Sequence, residues 1–156
     1  MGTRAVTITG NTISGAQAGN YTLTQQTSLT QEVTAKALTV SGITAASTVY
    51  DGTTTAKLGG TAAFPTAETP ETGTTSDGRP YTVDSVSAGG TPAGTLDSKD
   101  VGTNNVTITG VTVTGTGNGN YTVTQQTGLT QVITAKALAV SGITTPSTTY
   151  DGTTTA

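Results

Sequence analysis

Cysteine, histidine and tryptophan are all absent from this chain of 156 residues. Without cysteine there are no disulfides and no thiol chemistry, although that absence does not fix the compartment. Without histidine a Ser-His-Asp triad is excluded. One Phe and five Tyr are the only aromatic residues, so stacking platforms for sugars are few. Charge is scarce too: six Lys or Arg against nine Asp or Glu, net −3. No basic patch exists to neutralise phosphates, which argues against nucleic acid as a partner. No run approaches the roughly 18 apolar residues of a membrane span, so no membrane insertion is expected. No window of useful length shows a helical period.

What is abundant is threonine, with 42 residues, and glycine, with 21. Val, Ile, Leu and Phe together number 27, about 17% of the chain, below the rough 20% line associated with disorder. Disorder also calls for high net charge, which is missing here. The apolar residues alternate with Thr, whose β-branch favours strands and whose hydroxyl faces water. This pattern predicts a folded chain with a thin core.

The strongest signal is an internal repeat. Residues 1–56 align with residues 101–156 without a gap, at an offset of 100, with 39 of 56 positions identical. Coils of solenoids and β-helices are shorter, about 20 to 50 residues, so the repeat is domain-sized and the chain reads as a window on a tandem array. With Tyr-Asp-Gly near the start of each unit, residues 1–36 are the last part of a preceding repeat. Residues 37–136 are then one complete repeat and residues 137–156 the first part of the next. Residues 34–38 and 134–138 fall at the junctions, where Gly and Pro are few, predicting short, stiff connections.

Strand signals of period two, bounded by Gly, recur along the chain. They include Val6-Thr7-Ile8-Thr9-Gly10 and its copy at 106–110, Val111-Thr112-Val113-Thr114, and residues 121–125, 129–135, 38–43, 53–58 and 81–86. Residues 65–80, rich in Thr, Pro, Glu and Gly, read as a solvated loop, and residues 88–105 as a second one. Strand spacing of this kind predicts an all-β fold in tandem repeats, each unit an antiparallel β-sandwich of immunoglobulin-like type. A β-grasp-like or other small β fold is the alternative.

Two motifs stand out as structural. Gly-Asn-Tyr-Thr occurs at 19–22 and 119–122; Tyr21 and Tyr121 are similar to the tyrosine of sandwich corners, whose hydroxyl bonds back to backbone. Tyr50-Asp51-Gly52, repeated at 150–152, is a turn signal. Asp51, Asp97 and Asp100 are weak calcium candidates, a bound ion then stiffening the junction. No Asp-x-Asp-x-Asp pattern accompanies them, and calcium wants six to eight oxygens, so no cofactor is expected. Glu68 and Glu71 sit in the polar loop, where paired-carboxylate hydrolysis is not expected, and no catalytic residue is assigned. Self-made crosslinks are conceivable from Lys36, Lys136, Gln25, Gln26, Gln125 and Gln126, but they need a buried acid to move protons, and none is evident at these strands.

Ala-Leu-Thr-Val-Ser-Gly-Ile-Thr (37–44) followed by Val-Tyr-Asp-Gly-Thr-Thr-Thr-Ala (49–56) resembles the opening of the YDG repeat family. Asp100-Val101-Gly102-Thr103, residues 106–115 and Gly119-Asn120-Tyr121-Thr122 resemble its later landmarks, and Thr134-Ala135-Lys136 its closing edge. The resemblance covers essentially the whole chain; the segment 65–80 is longer and more polar than the family leads one to expect. It implies a non-catalytic structural stalk in a large bacterial extracellular adhesin of filamentous-haemagglutinin type, or in a biofilm matrix fibre, secreted to the cell surface. Partners would be neighbouring repeats; a second alternative, read from the opening strands at 137–156 and the closing strands at 1–36, is a self-assembling fibre subunit formed by strand donation between copies of the chain. The alternative is a binding module in which residues 65–80 and Tyr81 touch a cell-surface or matrix glycan or protein.

Overall fold

The computed structural model describes residues 1–147, 149, 150 and 152. Strands β1 (Gly2–Val6) and β2 (Leu29–Val33) pair with each other, antiparallel. After a two-residue connection follow β3 (Lys36–Thr39), β4 (Ser41–Ala45), β5 (Thr48–Val49), β6 (Leu58–Ala63), β7 (Ser85–Leu96), β8 (Gly102–Thr116), β9 (Tyr121–Thr124) and β10 (Leu129–Thr134). A four-stranded sheet runs β5-β10-β8-β7, and β3-β9 and β4-β6 form two-stranded sheets. Two of these pairings are parallel, β3 with β9 and β5 with β10. The described residues are all-β apart from two short 3-10 turns, at Ala18–Asn20 and Asn118–Asn120. No helix among them is long and apolar enough to cross a membrane.

The expected β content is present, with shifted boundaries. The predicted strand at 53–58 lies instead at Leu58–Ala63, and that at 81–86 begins at Ser85. Much of the predicted loop 88–105 is strand, because β7 and β8 form a long antiparallel ribbon. Small residues in β7, such as Gly89 and Gly94, hid the strand period but permit close packing: a Cβ at Gly94 would lie 2.8 Å from the Ala56 methyl.

The ribbon bends in its middle. Its register shifts between Gly90 and Ala93, and Gly90 and Gly110 both have positive φ, +82° and +85°. A side chain on Gly110 would overlap the Thr91 carbonyl. The bend is a β-bulge; β7 pairs with β8 on both sides of it, from Val106 to Thr116, and the Gly102–Val106 end of β8 pairs with β10.

Val40, Ile43, Ala56, Leu96, Val106, Ile108, Val111 and Ile133 form the core, with Tyr50, Leu58 and Phe64 packed at its margin. A core this small is supplemented by side-chain amides acting as strands. Gln126 brackets Ile43, accepting from its N–H at 2.9 Å and donating to its carbonyl at 2.8 Å. Gln125 does the same to Val111 at 3.3 and 2.8 Å. In the first copy of the duplicated sequence Gln25 brackets residue Asn11, the position equivalent to Val111, through its side-chain amide and its carbonyl. Gln131 is fully buried and accepts from the Lys57 N–H at 2.8 Å.

The two copies of the repeat have different environments. Leu38 is 0% exposed and Leu138 88%, while Val40 and Ile43 are buried and Val140 and Ile143 exposed. The opening segment at 37–45 lies on a body built from residues 56–133; among the described residues no such body covers 137–147. Leu38→Ala is therefore expected to destabilise the chain by about 2–5 kcal/mol in urea denaturation, and Leu138→Ala to leave the midpoint unchanged. Gln126→Ala, which strips both partners from the Ile43 peptide, is expected to cost about 1–3 kcal/mol by the same measurement.

Candidate functional site: the lysine cluster at the unit junction

Lys36 is the first residue of β3 and follows the two-residue connection from β2. Pairing with β9 sets it opposite Tyr121 and holds its backbone, while its side chain turns inward and is buried. An ammonium away from water needs counter-charge, and two carboxylates supply it. Glu68 Oε1 accepts from Lys36 Nζ in a short contact, and Asp77 Oδ1 lies 2.9 Å from the same nitrogen. The Tyr81 ring covers the nitrogen, its centroid 4.1 Å away, in cation–π geometry.

The carboxylates come from residues 65–80, the segment read as a solvated loop. That reading holds for the exposed residues 71–77 and needs correction at the segment's two ends, where Glu68, Gly78 and Pro80 are buried. The segment folds inward because its backbone is tied at both ends. The Glu68 N–H donates to the Pro80 carbonyl at 2.9 Å, the Thr82 N–H to the Glu68 carbonyl at 2.8 Å, and the Thr39 N–H to the Gly78 carbonyl at 3.1 Å. Asp77 closes its own turn, its Oδ1 accepting from the Arg79 N–H at 3.0 Å and its Oδ2 from the Thr74 N–H at 3.1 Å. Composition made this segment look solvated, whereas its two inward acids are determined by Lys36, which lies about 30 to 40 residues away in sequence.

Electrostatics tightens the group. Burial works against the Lys36 charge, yet the hydrogen bonds to Glu68 and Asp77 outweigh it and raise the pKa above the ordinary lysine value. Asp77 is held below the usual carboxylate range, first by the Arg79 N–H, then by Lys36, with smaller contributions from Glu68 and the Thr74 N–H. A cleft of about 480 Å³ opens beside the cluster, lined by Met1, Val33 and Ala35 from the entering chain and by Lys36, Tyr81 and Tyr121 from the unit.

Tyr121 supports the wall of this cluster. Its hydroxyl donates to Asp84 Oδ2 at 2.7 Å and accepts from the Tyr81 N–H at 3.0 Å. Burial, reinforced by the Asp84 hydrogen bond, raises its pKa. The hydroxyl thus bonds to a distant segment, not to its own corner as the sandwich comparison suggested. Tyr21, its copy, is 70% exposed against 6% for Tyr121.

The other sequence candidates lie elsewhere. Asp51 Oδ1 accepts from the Thr53 N–H and hydroxyl, both at 2.9 Å, which lowers its pKa, and Gly52 has φ +80° in the same turn. The Tyr50 N–H donates to the Thr134 carbonyl at 2.8 Å. Asp97 accepts from the Asn105 backbone and side chain at 3.0 and 2.7 Å, and Asp100 lies 3.4 Å from Lys99 Nζ. The structure does not gather Asp51, Asp97 and Asp100: among the described residues no three metal-ligating side chains converge. Glu71 sits at the exposed tip of its segment with φ +69°. Of the second Tyr-Asp-Gly turn, Asp151 lies outside the described residues, as do Thr148 and residues 153–156. Glu68, Asp77, Tyr81 and Asp84 carry no local motif; the one sequence hint was their concentration in the unduplicated residues 57–100.

An all-β repeat unit with a buried lysine–carboxylate cluster at its entrance is the class this structure defines. The model of the YDG domain matches residues 34–128, more than half of the chain, and the chain belongs to that family. No curated protein and no solved structure matches it. Tyr121→Phe, which leaves the Tyr81 N–H and Asp84 without their common partner, is expected to cost about 1–2 kcal/mol in denaturant unfolding, and Tyr21→Phe to cost nothing measurable.

Proposed function

We propose that this chain is a load-bearing spacer: a non-catalytic stalk repeat, immunoglobulin-like in its sandwich architecture, of a large bacterial extracellular adhesin or matrix fibre. The observation that carries this reading is the path a pulling force would take. The chain enters the unit through β3 and leaves through β10, and each is in a parallel pair, β3 with β9 and β10 with β5. Tension along the chain slides the strands of a parallel pair past each other, so their hydrogen bonds resist together. The connection from β2 to β3 is only Thr34 and Ala35, too short to act as a hinge of any reach. Neighbouring repeats are then the principal partners, and the exposed Leu138, Val140 and Ile143 would enter the next unit as Leu38, Val40 and Ile43 enter this one. A separate binding role for residues 65–80 has less support, since their two best-placed acids face inward on Lys36.

Single-molecule pulling tests the reading. A tandem concatemer pulled along its chain is expected to unfold unit by unit at high force. Handles at Ser41 and Ala63, which are direct partners in the antiparallel β4–β6 pair, are expected to open the unit at lower force, one pair at a time. Equal or lower resistance along the chain would sink the spacer reading. Glycan or protein binding by a single purified unit would favour the module instead.

A further inference from the structure

We propose that Lys36 and Asp77 are the two ends of an intramolecular isopeptide bond, with Glu68 as the group that moves the protons. The site has the parts the reaction needs. Nζ is the nucleophile, 2.9 Å from Asp77 Oδ1. Glu68 is buried and in contact with the same Nζ. Glu68 Oε2 and Asp77 Oδ2 both border Gly73: a Cβ there would overlap Glu68 Oε2 and lie 2.7 Å from Asp77 Oδ2. The Arg79 N–H, 3.0 Å from Asp77 Oδ1, stands where negative charge develops on that oxygen, as an oxyanion donor does.

The bookkeeping of atoms closes without any co-reactant. Glu68 takes one proton from the Lys36 ammonium and passes it to Asp77 Oδ2. The neutral amine attacks Cγ, forming the N–C bond and placing charge on Oδ1 beside the Arg79 N–H. Glu68 then takes a second proton from Nζ and delivers it to Oδ2. The Cγ–Oδ2 bond breaks and Oδ2 leaves as water, through the adjoining cleft. Glu68 ends as a carboxylate, nothing is oxidised or reduced, and an ammonium and a carboxylate have become an amide. Condensation is unfavourable between free groups in water, but reactants held in one geometry can reach effective concentrations of about 10⁵–10⁸ M. Burial adds to this, because the product amide carries no charge to desolvate.

The bond would fasten the first residue of β3 to the segment between β6 and β7, at the point where tension from the preceding unit arrives. Bond and spacer role can fail separately. Lys136, at the equivalent position, is exposed and has no counterpart of Glu68 and Asp77 within this chain, so one bond is expected per complete unit.

Mass spectrometry of the folded full chain tests the proposal. The expected result is a loss of about 18 Da, one water, carried by a branched peptide joining Lys36 to Asp77, with no tryptic cut after Lys36. Glu68→Gln and Lys36→Arg are expected to restore the full mass, and Asp77→Asn to show a loss of about 17 Da, one ammonia. In pulling, the bonded unit is expected to extend roughly 14 nm less than Lys36→Arg, since about 40 residues stay looped at about 3.5 Å each. Folded wild type at full mass overturns the proposal. So does a water loss that persists in Lys36→Arg, which marks a succinimide at Asp77-Gly78 instead.

Discussion

A single ammonium group organises the entrance of this repeat. Lys36 is buried at the first residue of the first strand, and a lone charge there would be untenable. Two acids, one aromatic ring and the backbone turns that aim them are consequences of placing it. Residues 65–80 fold inward to bring Glu68 and Asp77, Tyr81 covers the nitrogen, and Tyr121 and Asp84 fix the backbone that carries Tyr81. A buried ion pair is poor evidence for stability by itself. Its value here is positional, because it ties a segment without regular structure to β3.

The rest of the unit compensates for a small apolar core in a consistent way. Large side chains are few, so close backbone approach and side-chain amides take over part of the work. Gly90 and Gly110 allow the long ribbon of β7 and β8 to bend. Gln125 and Gln126 supply hydrogen bonds that a neighbouring strand would otherwise make, and so link β4, β8 and the segment after β9. Threonine gives the strands a polar, β-branched face with little charge.

Much of the strand content was legible, because Val-Thr alternation at 106–114 and 121–124 reports a two-residue period directly. The strand at 85–96 was not, because Ala, Gly and Pro carry no such period there. The turn at Asp51 and Gly52 was legible from local chemistry, whereas the Lys36 cluster was not. Lysine and glutamate in a threonine-rich chain look solvated, and nothing local distinguishes Glu68, which is buried, from Glu71, which is exposed three residues on. The missing information was the pairing of residues 32 and 41 positions apart.

The sequence by itself determined the period and the all-β class, because these follow from self-similarity and from local strand and turn chemistry. It could not assign different fates to identical residues. Lys36 and Lys136, Leu38 and Leu138, and Tyr21 and Tyr121 share their neighbours in sequence, yet one of each pair is buried and the other exposed. Tertiary structure decided between them, for a physical reason: burial depends on the body that residues 56–133 provide, and only one copy of each pair lies against it.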